Sequence, residues 1–196
     1  MQHTDNNTVH HKLAPDMWVE NYGDMLYSFV ASRISDKEVA KDIVQDVFVS
    51  AWNGRLGYKG EASEKNWLFT ITRNKIIDHY RKAANNPLVS IEDKDSEGFF
   101  DLENNLHWVN DSKPKDWGVN YTDTIETKEF YKVLSHCKDA LQEQQQAVFV
   151  MKHMEDLSTK DICKVLNISA SNYWVLMHRA KLQLRKCIEK SWFDKY

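Results

Sequence analysis

The chain has 196 residues, 42% hydrophobic and 28% charged, with a formal net charge of −3. That apolar fraction can support real cores, and the slightly acidic balance excludes a uniformly basic protein that coats nucleic acid. Six glycines, three prolines and little β-branched alternation favour an all-α fold. Charge is segregated: residues 1–84 carry 11 basic and 11 acidic side chains, residues 85–126 carry 3 and 10, and residues 127–196 carry 12 and 8. Apolar positions gather at both ends. The expectation is two small helical domains joined by a flexible acidic linker.

The first twelve residues are polar, and residues 1–15 read as a disordered tail. His10 and His11 have no acidic or cysteine ligands beside them, so no metal site is expected there. Pro15 suits the start of a helix over about 16–34, since its missing N–H costs nothing there. Trp18, Tyr22, Met25, Leu26, Phe29 and Val30 recur at helical spacing. A second helix is predicted over 35–53, with Ser35 and Glu38 as a capping box. Its apolar stripe takes in Val39, Ala40, Ile43, Val44, Val47, Phe48, Ala51 and Trp52, opposite Asp42, Gln45 and Asp46. Gly54, Gly57 and Gly60 mark a loop over 53–63. A third helix over 64–84 carries Trp67, Leu68, Ile71, Ile76, Ile77 and Tyr80 on one side.

Residues 85–121 show no period and mix acids with Phe99, Phe100, Trp108 and Trp117, which reads as a linker with aromatics that dock on a surface. Helices resume near Thr124. One stripe holds Ile125, Phe130, Val133, Leu134 and Cys137, and the next opens at Leu141 with Val148, Phe149 and Met151. Cys137, Cys163 and Cys187 form an odd set without C-x-x-C, and no signal peptide is evident. Reduced thiols in a cytosolic protein are expected, with Cys163 and Cys187 packing as small hydrophobes. No apolar run approaches ~18 residues, so no membrane insertion is expected.

Ser158–Leu184 reads "STKDICKVLNISASNYWVLMHRAKLQL". Ser158 can cap a helix with Asp161 answering three residues on, and Ile162, Val165 and Leu166 face inward. Asn167 tolerates the left-handed backbone that a tight turn needs. Ser169 then caps a second helix. This is a helix-turn-helix, whose second helix would bring Ala170, Ser171, Asn172, Tyr173 and Trp174 to base edges, with Ser169 at its cap part of the same DNA-binding surface. Arg179 and Lys181, and further on Arg185 and Lys186, would meet phosphates. The alternative is an ordinary helical hairpin with a solvated cationic face.

"DKEVAKDIVQDVFVSAW" (36–52) and "NWLFTITRNKIIDHYRK" (66–82) resemble the two core helices of region 2 in bacterial RNA polymerase sigma factors of the sigma-70 family. Residues 140–190 resemble region 4, with nothing of region 3 type between. That layout is similar to the extracytoplasmic-function class. The resemblance implies domains at 16–84 and 125–190, with a linker over 85–124. It implies that Asp42, Gln45 and Asp46 bind the clamp helices of the largest subunit of core RNA polymerase. Trp67, Arg73, Asn74, Asp78, His79, Arg81 and Lys82 match positions that hold the minus-ten strand of promoter DNA. Trp67, on the apolar side, reads better as core than as a stacking platform. The 53–63 loop would shape a flipped-base pocket, lined by Arg55, Tyr58 or Lys59. An anti-sigma factor is a further implied partner.

One departure concerns the second helix of the turn. Many relatives carry Lys and Arg where this chain has Trp174 and Leu176, so recognition must rest more on Ser171, Asn172, Tyr173, DNA shape and phosphates; the alternative is that Trp174 packs against the DNA backbone or a partner. No metal-ligand spacing, catalytic triad, phosphate loop or cofactor site appears, so an enzyme is not expected. A free-standing helix-turn-helix regulator and a helical polymerase-binding adaptor without DNA contact are the rival readings.

Overall fold

The computed structural model describes residues 12–84, 100–101, 107–108 and 124–193. The elements, in chain order, are α1 (Trp18–Ala31), α2 (Lys37–Gly54), α3 (Glu64–Ala84), β1 (Phe100–Asp101), β2 (His107–Trp108), α4 (Thr124–Asp139), α5 (Glu143–His153), α6 (Thr159–Leu166) and α7 (Ala170–Phe193). The expected all-α class is what forms. One small exception lies in the stretch expected to be irregular: β1 and β2 pair antiparallel, with Phe100 opposite Trp108 and Asp101 opposite His107. The docking expected of Phe99 and Trp117 lies outside the described residues. The chain divides into two compact units, residues 1–79 and 80–196.

In the first unit a 3-10 turn at Pro15–Met17 leads into α1, so the chain is already ordered at the end of the stretch expected to be a frayed tail. Residues 1–11 lie outside the described part. The entry of α1 is tied to the start of α3 by one carboxylate. Glu64 accepts from the Ala14 backbone N–H (2.5 Å), from Trp18 Nε1 (2.6 Å) and from the Tyr22 hydroxyl (3.1 Å). Farther along, Phe29 and Phe69 meet edge to face at 4.9 Å. Leu26, Val30, Ile34, Ala40, Ile43, Val44, Val47, Ala51, Leu68 and Ile76 are buried. They recur at the helical spacing that the pattern predicted.

Several boundaries and burials depart from expectation. The cap of α2 is Asp36, not Ser35: its carboxylate accepts from the N–H groups of Glu38 (2.8 Å) and Val39 (3.3 Å). Asp36 stands one residue nearer the first helical turn and offers a charged acceptor, which the helix dipole favours. Trp52 is 49% exposed and Met25 38% exposed, so both lie at the edge of their stripes. Ile125, expected in the apolar stripe of α4, is 70% exposed, because it sits at the first turn before α4 reaches its neighbour. Arg33 is buried between α1 and α2. It donates to Phe29 O (3.0 Å) and to Ser32 Oγ (2.8 Å), and its guanidinium lies 3.4 Å from the Phe29 ring centre.

In the second unit α4, α5 and α6 pack against the long α7. The α4–α7 core holds Phe130, Val133, Cys137, Leu141, Ala180, Leu184, Ile188 and Trp192. Phe130 and Trp192 meet edge to face at 5.5 Å, closing the far end of the pair. Cys137 and Cys187 form a disulfide across these helices, which corrects the expectation of separate thiols. The two residues are 50 apart in sequence, but the helix pairing brings their Cα atoms to 5.6 Å, within bonding reach. Cys163 remains a free thiol, half-buried on α6.

Candidate functional site

The candidate residues lie on three surfaces. The first is the outer side of α2. Asp42, Gln45 and Asp46 are all exposed, while Ile43, Val44 and Val47 between them are buried. Spacings of three and four residues put the polar trio on one face. Asp46 also stands 3.9 Å from Lys75 of α3, an exposed pairing of small energetic worth. The same side continues toward the helix end with Val49, 59% exposed, and the partly exposed Trp52. Trp52 thus leaves the core stripe expected from the sequence and Val49 joins the exposed side, because apolar character alone does not tell a core position from a docking one.

The second surface is α3 with the loop before it. Arg73, Asn74, Arg81 and Lys82 are exposed, and Asp78 and His79 are half-buried. Trp67 is half-buried. Its ring centre lies 6.0 Å from that of Trp18 and 5.1 Å from that of Tyr58. Its faces are engaged by side chains of its own unit. The loop is shaped by its own contacts: Arg55 stacks on Trp52 at 3.8 Å and donates to the Trp52 carbonyl, and the Tyr58 hydroxyl donates to the Ala62 carbonyl. Gly60 has φ +74°, a backbone that side-chain-bearing residues rarely adopt. Burial, then the hydrogen bond to Glu64, pushes the Tyr22 phenol above its usual range. Tyr58 is raised by burial and by the nearby Glu64 charge.

The third surface is the helix-turn-helix. Ser158 accepts from Asp161 N–H at 3.1 Å and donates its hydroxyl to the Asp161 carboxylate at 2.6 Å. Asn167 takes φ 52° and ψ 46°, the left-handed cap expected of it. Ser169 accepts from Asn172 N–H at 3.1 Å and so starts α7. The first turn of α7 leaves Ser171 and Trp174 exposed and Asn172 half-buried.

Tyr173 corrects a prediction. It is 1% exposed and packs into the unit, so its side chain does not reach the solvent face. The helix phase decides this: Tyr173, Leu176, Met177 and Ala180 share the buried side. Arg179 is half-buried and Lys181 exposed. Arg185 is half-buried and pairs with Glu189 at 2.9 Å, which ties it along its own helix rather than toward a phosphate. Val175 and His178, exposed on the same side as Trp174, were not singled out in the sequence. Only the phase of α7 against its neighbours identifies them.

Residues 18–86 match the family described as Sigma-70 region 2, and residues 131–184 match Sigma-70, region 4. The chain belongs to the sigma-70 family, in its extracytoplasmic-function class. A probable RNA polymerase sigma factor of Haemophilus influenzae is 29% identical over 177 residues, covering 89% of this chain and 90% of the relative. RNA polymerase sigma factor YlaC of Bacillus subtilis is 27% identical, covering 93% and 95%. The ECF RNA polymerase sigma factor SigX of the same organism is 26% identical, covering 87% and 81%. A solved chain, the sigma factor RpoE from a complex with the anti-sigma factor NepR of Bartonella quintana, shows 21% identity and a TM-score of 0.40.

As a sigma-70 family member the chain is a promoter-specificity factor for transcription initiation. Its two matched regions lie in the order expected from the sequence. No described helix is long and apolar enough to cross a membrane, and no group of three or more His, Cys, Asp or Glu among the described residues is placed to hold a metal ion.

Proposed function

We propose that this sigma factor works as a tethered pair, with α2 and α3 serving core polymerase and the minus-ten element and α7 serving the minus-thirty-five element. In this reading Asp42, Gln45 and Asp46 meet the basic clamp helices of the largest subunit, where opposite charge steers docking. Arg73, Asn74, Arg81 and Lys82 hold the separated strand, with Asp78 and His79 beside them. Trp67 shapes that surface from beneath. Ser169, Ser171, Asn172 and Trp174 approach the upstream groove, and Arg179 and Lys181 lie toward phosphates. Catalysis belongs to the polymerase, and no cofactor is needed. An anti-sigma factor that masks these surfaces completes the set of partners.

The observation that carries the reading is one pairing within one chain: an exposed acidic face on α2, and a doubly capped helix-turn-helix that leaves the first turn of α7 open. Neither the free-standing regulator nor the adaptor without DNA contact requires both. Weak binding of DNA by the isolated chain is expected, because few phosphates are neutralised. Affinity then comes from joining two modules on one polymerase surface.

Run-off transcription on genomic fragments with core polymerase tests the reading. Start-site-specific transcripts that require the chain support it, and tight, specific DNA binding in the absence of polymerase favours the regulator instead. In the same preparation, Asp42→Ala with Gln45→Ala should cut co-purification with core polymerase about tenfold or more, as the loss of two charge-assisted or polar contacts would. Undiminished co-purification removes the clamp assignment.

A further inference from the structure

We propose that Trp174 and Val175 form an apolar reader of thymine methyl groups in the upstream promoter element, an inference that rests on the assignment of α7 to that element. Trp174 is 61% exposed and Val175 44% exposed, side by side one turn into a helix whose other side is buried. Helical spacing runs two ridges from Ser171: one through Trp174, His178 and Lys181, the other through Val175 and Arg179. The two side chains place an apolar contact surface on the solvent side of the helix, between Ser171 and the cationic Arg179 and Lys181. Trp174 is also held in place. Its ring meets buried Tyr173 at 5.1 Å and 74°, edge to face, so little side-chain freedom remains to be lost on contact.

The same two residues, with Met177, His178, Arg179 and Lys181, border an open hollow of about 620 Å³. Whatever fills it meets both apolar and cationic side chains. Duplex DNA has that combination. Its phosphates suit Arg179 and Lys181, and among the four base edges in the major groove the thymine C5-methyl is the apolar one. Arginine at position 174 would select guanine through a bidentate pair. An indole has a single N–H donor and no such fork, so preference shifts from hydrogen-bond pattern to methyl contact.

The test uses holoenzyme assembled from core polymerase and the full chain, on a promoter found by run-off transcription. Each upstream thymine is replaced singly by deoxyuridine, which removes one methyl and leaves every hydrogen-bonding group. At one or two positions the change should weaken competition for holoenzyme about three- to fivefold, the worth of one buried methyl. Trp174→Ala with Val175→Ala should abolish that difference, with helix content unchanged by circular dichroism. Specific transcription with thymine and deoxyuridine equivalent everywhere overturns the methyl reading and leaves the assignment of α7 standing. A thymine preference that survives in the double variant places the contact elsewhere and also overturns it. Promoter use that the double variant leaves untouched marks the pair as a protein-docking surface, with the same consequence. Failure to obtain any start-site-specific transcript removes the assignment of α7 itself.

Discussion

Cys137 on α4 and Cys187 on α7 are joined by a disulfide that spans 50 residues and lies in the core of the second unit. Closing a loop of that length is worth ~4 kcal/mol in the chain-entropy account of the unfolded state. Reduction should therefore lower the melting midpoint of this unit by roughly 15 °C or more, since each kcal/mol moves a small domain by about 4–8 °C. Cys137→Ser with Cys187→Ser should melt like the reduced chain, and Cys163→Ser should melt like the parent. Calorimetry with and without a thiol reductant measures this. Coincident melts in both conditions would mean that helix packing alone supplies the stability.

Glu64 gathers three donors from the start of α1, and two of them, Trp18 and Tyr22, are side chains 46 and 42 residues away. Glu64→Ala leaves the indole N–H of buried Trp18 and the half-buried Tyr22 phenol without their acceptor. It should destabilise the first unit by about 2 kcal/mol, in the range for hydrogen bonds to a charged group. Denaturant unfolding followed by tryptophan fluorescence reads it out.

The same carboxylate has a signature in alkali. Burial first, then the bond to Glu64, raises the Tyr22 phenol above its ordinary value near 10. A raised folded value favours the protonated phenol. Its contribution to stability is present below the unfolded value and is lost as pH rises through the folded one. Glu64→Gln should bring the ionisation of Tyr22 down part of the way, because burial remains. Ultraviolet difference titration against Tyr22→Phe isolates the group.

His153, at the end of α5, titrates below the ordinary imidazole range. Partial burial is the main cause, followed by the charges of Lys181 and Lys152. Its ring also lies 4.9 Å from that of Phe149. A lowered folded value favours the neutral ring. The stability it brings is present above the unfolded value near 6.5 and is lost as pH falls toward and through the folded one. His153→Gln should flatten that part of the pH–stability curve. A proton NMR titration that places His153 at or above 6.5 would refute the assignment.

Asn167 holds the left-handed turn between α6 and α7. Asn167→Gly should be neutral or slightly stabilising, and Asn167→Val should cost about 1–2 kcal/mol because a β-branched side chain resists positive φ. Ser169→Ala removes the acceptor for Asn172 N–H and should cost about 1 kcal/mol. Thermal melts of the three variants order them. Equal melts for Asn167→Gly and Asn167→Val would show that backbone strain at the turn is unimportant.

Local signals carried much of the reading. The helical period of Ile43, Val44 and Val47, the caps at Ser158 and Ser169, and the turn at Asn167 depend on residues within a few positions of one another. Such interactions are written into a short stretch of chain whatever surrounds it. For the same reason the exposed trio Asp42, Gln45 and Asp46 was legible as the complement of the buried stripe.

The misreadings have a common origin. Ser35 and Asp36 are both good caps, and only the path of the chain leaving Arg33 and Ile34 chooses between them. Tyr173 and Trp174 are adjacent aromatics, and nothing in their chemistry says which faces inward. The phase of α7 against α5 and α6 settles it, burying the first and exposing the second. The union of Cys137 with Cys187 and the three bonds converging on Glu64 join residues 42 to 50 positions apart. Helix type, the caps at Ser158 and Ser169 and the turn at Asn167 were determined by the sequence because each is a short-range balance of propensity and hydrogen bonding. Which face of each helix meets solvent, and which distant side chains meet one another, was decided only when the helices packed, since packing is a property of surfaces that no single segment contains.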